Sequence, residues 1–157
     1  MEVPVRIPAA PVAISTAVSR AMKANRAKGT KPEAKLLRML WAAGARGYRK
    51  HDARLPGKPD VAYNKAKVAV FFHGCFWHLC PLCSTKRDLI PSLNRSYWEP
   101  KLRRNVERFH RDRRALVALG YHVVVIWGCQ FEKAPGRQVE RVLAALRRNS
   151  VNHTPRR

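Results

Sequence analysis

KVAVFFHGCFWHLCPLC, residues 67–83, decides how this chain is read. Its first part is a strand in which Val68, Val70 and Phe72 fall on one face and Ala69 and Phe71 on the other. Both faces are apolar, so the strand is expected to be covered on both sides, as inside an α/β sheet. The run then ends directly in His73, Cys75, Phe76, Trp77, His78, Cys80 and Cys83. A buried strand that delivers imidazoles and thiols at its end is an arrangement for chemistry or for metal.

Working upstream, Asp60–Tyr63 reads as the partner strand, joined through a tight turn centred on Asn64. Leu55–Pro59 (LPGKP) is turn chemistry, and residues 48–51 read as a further short strand. Thr30-Lys-Pro-Glu33 has the form of a capping box ahead of a helix with Leu36, Leu37, Leu40 and Trp41 at helical spacing, stopped at Gly44. Downstream, residues 84–96 are irregular. A long helix is expected from Trp98, with Leu102, Val106, Phe109, Arg113, Leu116 and Leu119 about a turn apart and Gly120 ending it. The β-branched run Tyr121–Trp127 reads as a central strand. A last helix over 138–148 is expected to bury Val139, Val142, Leu143 and Leu146.

The 157 residues suit one domain, and an apolar fraction of 46% suits a folded one. Lys and Arg number 32 against 10 Asp and Glu, a formal net charge of +22. Such a balance points to a polyanionic partner, nucleic acid before a membrane surface. No apolar run approaches the roughly 18 residues of a membrane span. The Pro-broken N-terminus does not read as a secretory signal, so a cytoplasmic setting at the nucleoid is expected. Residues 1–29, with three prolines and the basic Arg20, Lys23, Arg26 and Lys28, read as a basic arm that folds on DNA. Residues 30–150 read as the folded domain and 151–157 as a basic tail.

Cys75, Cys80, Cys83 and Cys129 are spaced for zinc rather than for disulfides. Four thiolates would close the coordination shell, making the ion structural. Two other readings stay open here: His73 or His78 in place of one thiolate, or four buried thiols without metal. If zinc takes the cysteines, both histidines remain for other work. The hairpin brings Asp60 close to the Phe72–His73 end. A carboxylate beside imidazoles on a very basic chain suggests phosphodiester hydrolysis, with Asp60 binding a divalent cation and a histidine moving a proton. The plain alternative is that Asp60 only caps a turn.

LPGKPD, VAVFFHGCFWH, SYWEPKLRRNVER and VVIWGC resemble the very-short-patch repair endonucleases, the Vsr family, over about residues 16–132. The resemblance implies a restriction-endonuclease-like fold: a mixed central sheet flanked by helices, with a structural zinc site. It implies a DNA mismatch endonuclease that nicks one strand 5′ to the T of a T:G mismatch left by deamination of 5-methylcytosine, with Mg²⁺ catalytic and Zn²⁺ structural. A monomer, and a functional link to a cytosine-5 DNA methyltransferase, go with it. By matched position, Asp60 and the main-chain carbonyl of Phe72 are the Mg²⁺ ligands, and His73 and His78 are the catalytic imidazoles. Glu33 matches a glutamate near the cation's water, a role that competes with its capping role. Phe76, Trp77 and Trp98 match aromatics that wedge into the base stack, the alternative being core packing. The arm around Met22, Lys23 and Arg26 matches an element that grips the opposite groove.

Three departures stand out. Cys80 and Cys83 occupy a region where the family's zinc site commonly has a histidine. Phe109 stands where the long helix usually carries an acid thought to orient a catalytic histidine; Glu107 and Asp112 are near in sequence but do not match. Gly128 replaces a frequent glutamate. The second departure keeps a non-cleaving, zinc-stabilised DNA-binding protein in view, alongside a related restriction or defence nuclease.

Overall fold

A computed structural model describes residues 6–12, 29–84 and 88–152. The arm residues Met22, Lys23 and Arg26 and the tail 153–157 lie outside the described residues. The elements are α1 (Lys31–Ala42), β1 (Arg49–Lys50), β2 (Val61–Tyr63), β3 (Val68–His73), α2 (Pro81–Ser84), α3 (Arg95–Ala118), β4 (His122–Trp127), α4 (Gly128–Lys133) and α5 (Pro135–Asn152). The strands form one mixed sheet in the order β1-β2-β3-β4, antiparallel up to β3 and parallel between β3 and β4. No helix among the described residues is long and apolar enough to cross a membrane.

The two-faced pattern of β3 sets the layers. Val68 and Val70 join Leu36 and Leu40 of α1, Val124 and Ile126 of β4, Phe131 of α4 and Val139, Val142 and Ala145 of α5 in the larger core. Ala69 and Phe71 point the other way, to Leu116 and Phe109 of α3 and to Tyr121. The sheet therefore lies between α1, α4 and α5 on one side and α3 on the other. Each fully buried Leu or Val contributes roughly 1.5–3 kcal/mol of burial, so both faces are needed to hold β3.

Several expectations are corrected. The Tyr121–Trp127 run is the outer strand of the sheet, not a central one. Its β-branched residues still fit, because Val124 and Ile126 face the core while Arg141 Nη1 donates to the Val125 carbonyl at 3.1 Å and to Gln138 Oε1 at 2.7 Å. That guanidinium occupies an edge carbonyl that would otherwise recruit another strand. The long helix starts at Arg95 rather than Trp98, and Pro100 sits inside it, where it cannot donate to the Ser96 carbonyl. Leu119 and Trp41 lie on exposed faces, and the Trp41 ring is instead covered by the Arg46 guanidinium 4.8 Å away. The final helix runs over Pro135–Asn152, and the short α4 was not foreseen.

The hairpin and the loop before it are tied to the sheet by polar contacts. Asp52, nearly buried, accepts from Arg54 Nε at 2.8 Å, Arg54 Nη2 at 2.6 Å and Asn64 Nδ2 at 3.0 Å. Tyr121 Oη donates to Asn64 Oδ1 at 2.8 Å. These bonds, Arg54 first, hold the Asp52 carboxyl well below the usual carboxylate range. The LPGKP turn then folds down onto α3. Gly57 has φ +71°, and a Cβ there would lie 3.0 Å from Asp112 Cβ and 3.3 Å from the Phe71 ring. Only glycine meets both demands, since the left-handed region costs other residues about 1–2 kcal/mol even without a clash.

Gly57→Ala is therefore expected to destabilise by at least about 1–2 kcal/mol, a drop in Tm of about 2–8 °C for a domain of this size, measured by thermal unfolding. An unchanged Tm would mean that the turn is not packed on α3 as described.

Candidate active site

The four cysteines converge although 54 residues separate the first from the last. Cys75 follows β3, Cys80 and Cys83 flank and enter the one-turn α2, and Cys129 lies in the first turn of α4, just past β4. The parallel pairing His73↔Trp127 brings the two strand ends level, so Cys75 and Cys129 are both two residues beyond it. All four Sγ atoms lie within 4.8 Å of one another. Cys80 Sγ and Cys129 Sγ are 3.8 Å apart. Zn–S bonds of about 2.3 Å at tetrahedral angles set sulfur atoms about 3.8 Å apart, so this donor set fits zinc. Burial pushes the Cys75 thiol up to about 12, which leaves the sulfur protonated unless a cation displaces the proton. His73 and His78 do not belong to this cluster, leaving the all-cysteine set among the readings of the spacing.

A second convergence lies across β2 and β3. Asp60 Oδ2 accepts the Phe72 N–H at 2.7 Å, a side-chain contact just beyond the strand pair Val61↔Val70. Glu33 comes from the first turn of α1. Its amide donates to Thr30 Oγ1 at 3.4 Å while its Oε2 accepts the Gly29 N–H at 2.7 Å, one residue earlier than a standard capping box. The same carboxyl faces Asp60, so capping and the cleft share one side chain. His51 completes the group, with Nδ1 3.5 Å from Asp60 Oδ1. One donor atom from each of Glu33, His51 and Asp60 lies within 4.8 Å of the others. Burial, and then the Glu33 charge, raise the Asp60 carboxyl to about 6 against the lowering effect of the Phe72 amide. A buried carboxylate raised in this way is short of positive charge, which fits a cation there.

His73 and His78 stack face to face, centroids 3.7 Å apart and planes at 3°. Burial first, and then neighbouring positive groups, lower them to about 3 and about 4, so both are neutral near pH 7. Nδ1 of each is buried and finds no hydrogen-bond partner among the described residues. Phe109 stands edge-on to His73, 4.3 Å between centroids, and 5.3 Å from Phe71. An aromatic ring thus packs against this side of His73. Asp112 lines the same cleft but is engaged by Arg111 at 3.0 Å.

These groups share one cleft of about 290 Å³ lined by Glu33, His51, Asp60, His73, His78 and Arg108, among others. It continues into a groove of about 1000 Å³ that passes Trp77 and reaches the cysteines. Phe76, Trp77 and Trp98 form a half-buried cluster with centroids 5.0–6.0 Å apart. None of the three belongs to either core cluster, which weakens the core-packing reading. Lys101 Nζ lies 5.3 Å from the Trp98 ring, and Asn105 Nδ2 donates to the Trp77 carbonyl at 3.3 Å. Sequence reasoning missed His51, Asn105 and Arg108. The first was legible in principle, because the pairing Lys50↔Val61 sets His51 opposite Asp60. The other two share one helix face at i, i+3.

Residues 14–82 match the family described as DNA mismatch endonuclease Vsr. The type II nicking enzyme V.NaeI of Lentzea aerocolonigenes is 43% identical over 122 residues, 74% of this chain and 70% of the relative. The type II nicking enzyme V.NmeDIP of Neisseria meningitidis serogroup C is 37% identical over 128 residues, 82% of this chain and 84% of the relative. The DNA mismatch endonuclease Vsr of Escherichia coli K12 is 35% identical over 111 residues, 71% and 69% of the two chains.

Protein purified without added metal is expected to carry one zinc per chain. Cys80→Ser, which removes the fully buried thiol, is expected to lose the ion and much of the thermal stability. The measurements are elemental analysis and thermal unfolding. A folded chain with well under half an equivalent of zinc would sink this assignment.

Proposed function

This chain belongs to the Vsr family of DNA mismatch endonucleases, and we propose that it nicks one strand of duplex DNA 5′ to the T of a T:G mismatch by Mg²⁺-dependent hydrolysis. The observation that carries the reading is the meeting of Asp60, Glu33 and the His73–His78 stack around one cleft on a strongly basic chain. The mixed four-stranded sheet between helices is compatible with a restriction-endonuclease-like fold, which we propose with it.

Asp60 and the Phe72 main-chain carbonyl would hold the cation, with Glu33 beside them; oxygen donors of this kind suit Mg²⁺. When bound, the cation supplies positive charge against the phosphate and the leaving oxygen. The chain's own groups do the rest. Arg108 at the cleft contributes a second positive charge toward the phosphate. His73 and His78, which line the cleft, are the groups proposed to take a proton from the attacking water. Water adds to phosphorus as an imidazole takes its proton, the P–O ester bond breaks, and the leaving oxygen takes up a proton from solvent. Phe76, Trp77 and Trp98 are suited to replace the stacking that a mispair has already weakened. The arm with Met22, Lys23 and Arg26 is assigned to the opposite groove. We further propose a monomer, acting at the nucleoid in the cytoplasm, on mismatches that follow a cytosine-5 methyltransferase.

A second reading has one observation in its favour. Phe109 packs against His73, whose Nδ1 has no acid to fix its orientation among the described residues. A protein that binds mismatched DNA without cutting it would tolerate this.

Single-turnover nicking of a T:G duplex separates the two. Asp60→Ala is expected to abolish cleavage while DNA binding persists, and His78→Ala to slow it by about 10²–10⁴-fold. Phe109→Asp, checked for unchanged circular dichroism, is expected to nick faster than wild type. Cleavage that survives Asp60→Ala refutes the site assignment, and a wild type inert on T:G duplexes favours the binder.

Binding is expected to weaken steeply with salt on any duplex, since phosphate neutralisation releases counterions. Trp77→Ala is expected to reduce the preference for T:G over T:A more than it reduces overall affinity, read by titration of both duplexes. Equal losses on both would make Trp77 a packing or backbone contact.

A further inference from the structure

We infer that His51 is a nitrogen ligand of the cation held at Asp60 and Glu33, so that the site prefers first-row transition ions such as Mn²⁺ to Mg²⁺. The inference rests on the proposed function and deepens it: it concerns which ion this chain's site selects.

The geometry carries it. His51 immediately follows β1, and its N–H donates to the Asp60 carbonyl at 3.2 Å, so backbone pairing fixes it opposite Asp60. Its φ of +47° is a left-handed conformation that histidine tolerates better than most residues. That turn directs the ring into the cleft, where Nδ1 stands 3.5 Å from Asp60 Oδ1. Donors that sit side by side on an octahedral ion with bonds of about 2.1 Å are about 3 Å apart. The observed separation needs only a small closure. The carboxylates are correctly committed for such a site. Asp60 uses Oδ2 for the Phe72 N–H, and Glu33 uses Oε2 for the Gly29 N–H. Each keeps a second oxygen, and one donor atom from each of Glu33, His51 and Asp60, within 4.8 Å of one another, makes an O,O,N set.

An imidazole in that set changes the ion it favours. Mg²⁺ demands oxygen donors and gives up its waters reluctantly. Transition ions accept imidazole, with affinity rising from Mn²⁺ onward. The plain alternative is that His51 and Asp60 simply form a weak polar contact, in which case the ring has no say in ion choice.

The test uses the full-length, zinc-loaded chain. Mn²⁺ binding is followed by electron paramagnetic resonance, Mg²⁺ affinity by competition, and bound Mn²⁺ is examined by electron spin echo envelope modulation for coupled nitrogen. Wild type is expected to show imidazole nitrogen modulation and to bind Mn²⁺ more tightly than Mg²⁺. His51→Asn keeps a residue at ease with positive φ. It is expected to lose the modulation and at least about tenfold in Mn²⁺ affinity, with a smaller change for Mg²⁺. His51→Gln, with unchanged zinc content as the folding control, is expected to behave alike. Absent saturable Mn²⁺ binding, absent nitrogen modulation in wild type, or modulation that persists in both variants overturns the inference. Asp60→Ala separates the two levels. If Mn²⁺ still binds this variant, the cation site lies elsewhere and the functional reading falls too. If binding is lost but wild type shows no nitrogen coupling, only the role of His51 falls.

Discussion

Strand β3 must be covered on both faces, and nearly everything else follows from how that is done. Val68 and Val70 require α1 and α5 beneath the sheet; Ala69 and Phe71 require α3 above it. Its two edges are taken by β2 and β4. A strand fixed on four sides cannot shift its end, so His73 is held to the positions its neighbours allow. The same argument locates Asp60, whose carboxylate meets the Phe72 amide across the hairpin. The candidate active site is the C-terminal end of the most constrained strand in the molecule.

Much of this was legible in the sequence because β3 and α1 have strong periodic patterns. The alternation in residues 68–72 separated the two core faces correctly. The cysteine spacing identified the four thiols that the structure brings together, and the hairpin turn brought Asp60 to Phe72. What failed did so for tertiary reasons. The β-branched run of β4 cannot announce that it is an outer strand, because Arg141 from a distant helix satisfies its open carbonyl. Trp41 and Leu119 fit the helical period yet face outward, since period marks a stripe and not its width. His51 was read only as the end of a strand. Its side chain matters through a left-handed turn that no propensity specifies.

The site is electrostatically divided. On one side the Asp60 carboxyl is raised to about 6 by burial. On the other, two stacked imidazoles lie in a wall of Phe71 and Phe109 and are held neutral. Burial is thus the largest cause of the shift on each side, raising the carboxyl and lowering the imidazoles. Phe109 belongs to the same pattern, because its ring adds dryness beside His73.

The cysteine cluster has a consequence for strand alignment. Cys75 and Cys129 each lie two residues beyond the paired His73 and Trp127, and the Cys129 N–H donates to Cys75 Sγ at 3.4 Å. A parallel pair slipped by one residue would turn every side chain of β4 to the wrong face. It would also pull these two sulfurs out of step. An ion shared between them would act as a register pin for β3 and β4 at the strand end that carries His73. Chemical damage to the thiols would then loosen the join between β4 and the strand that carries His73, along with the fold that depends on it.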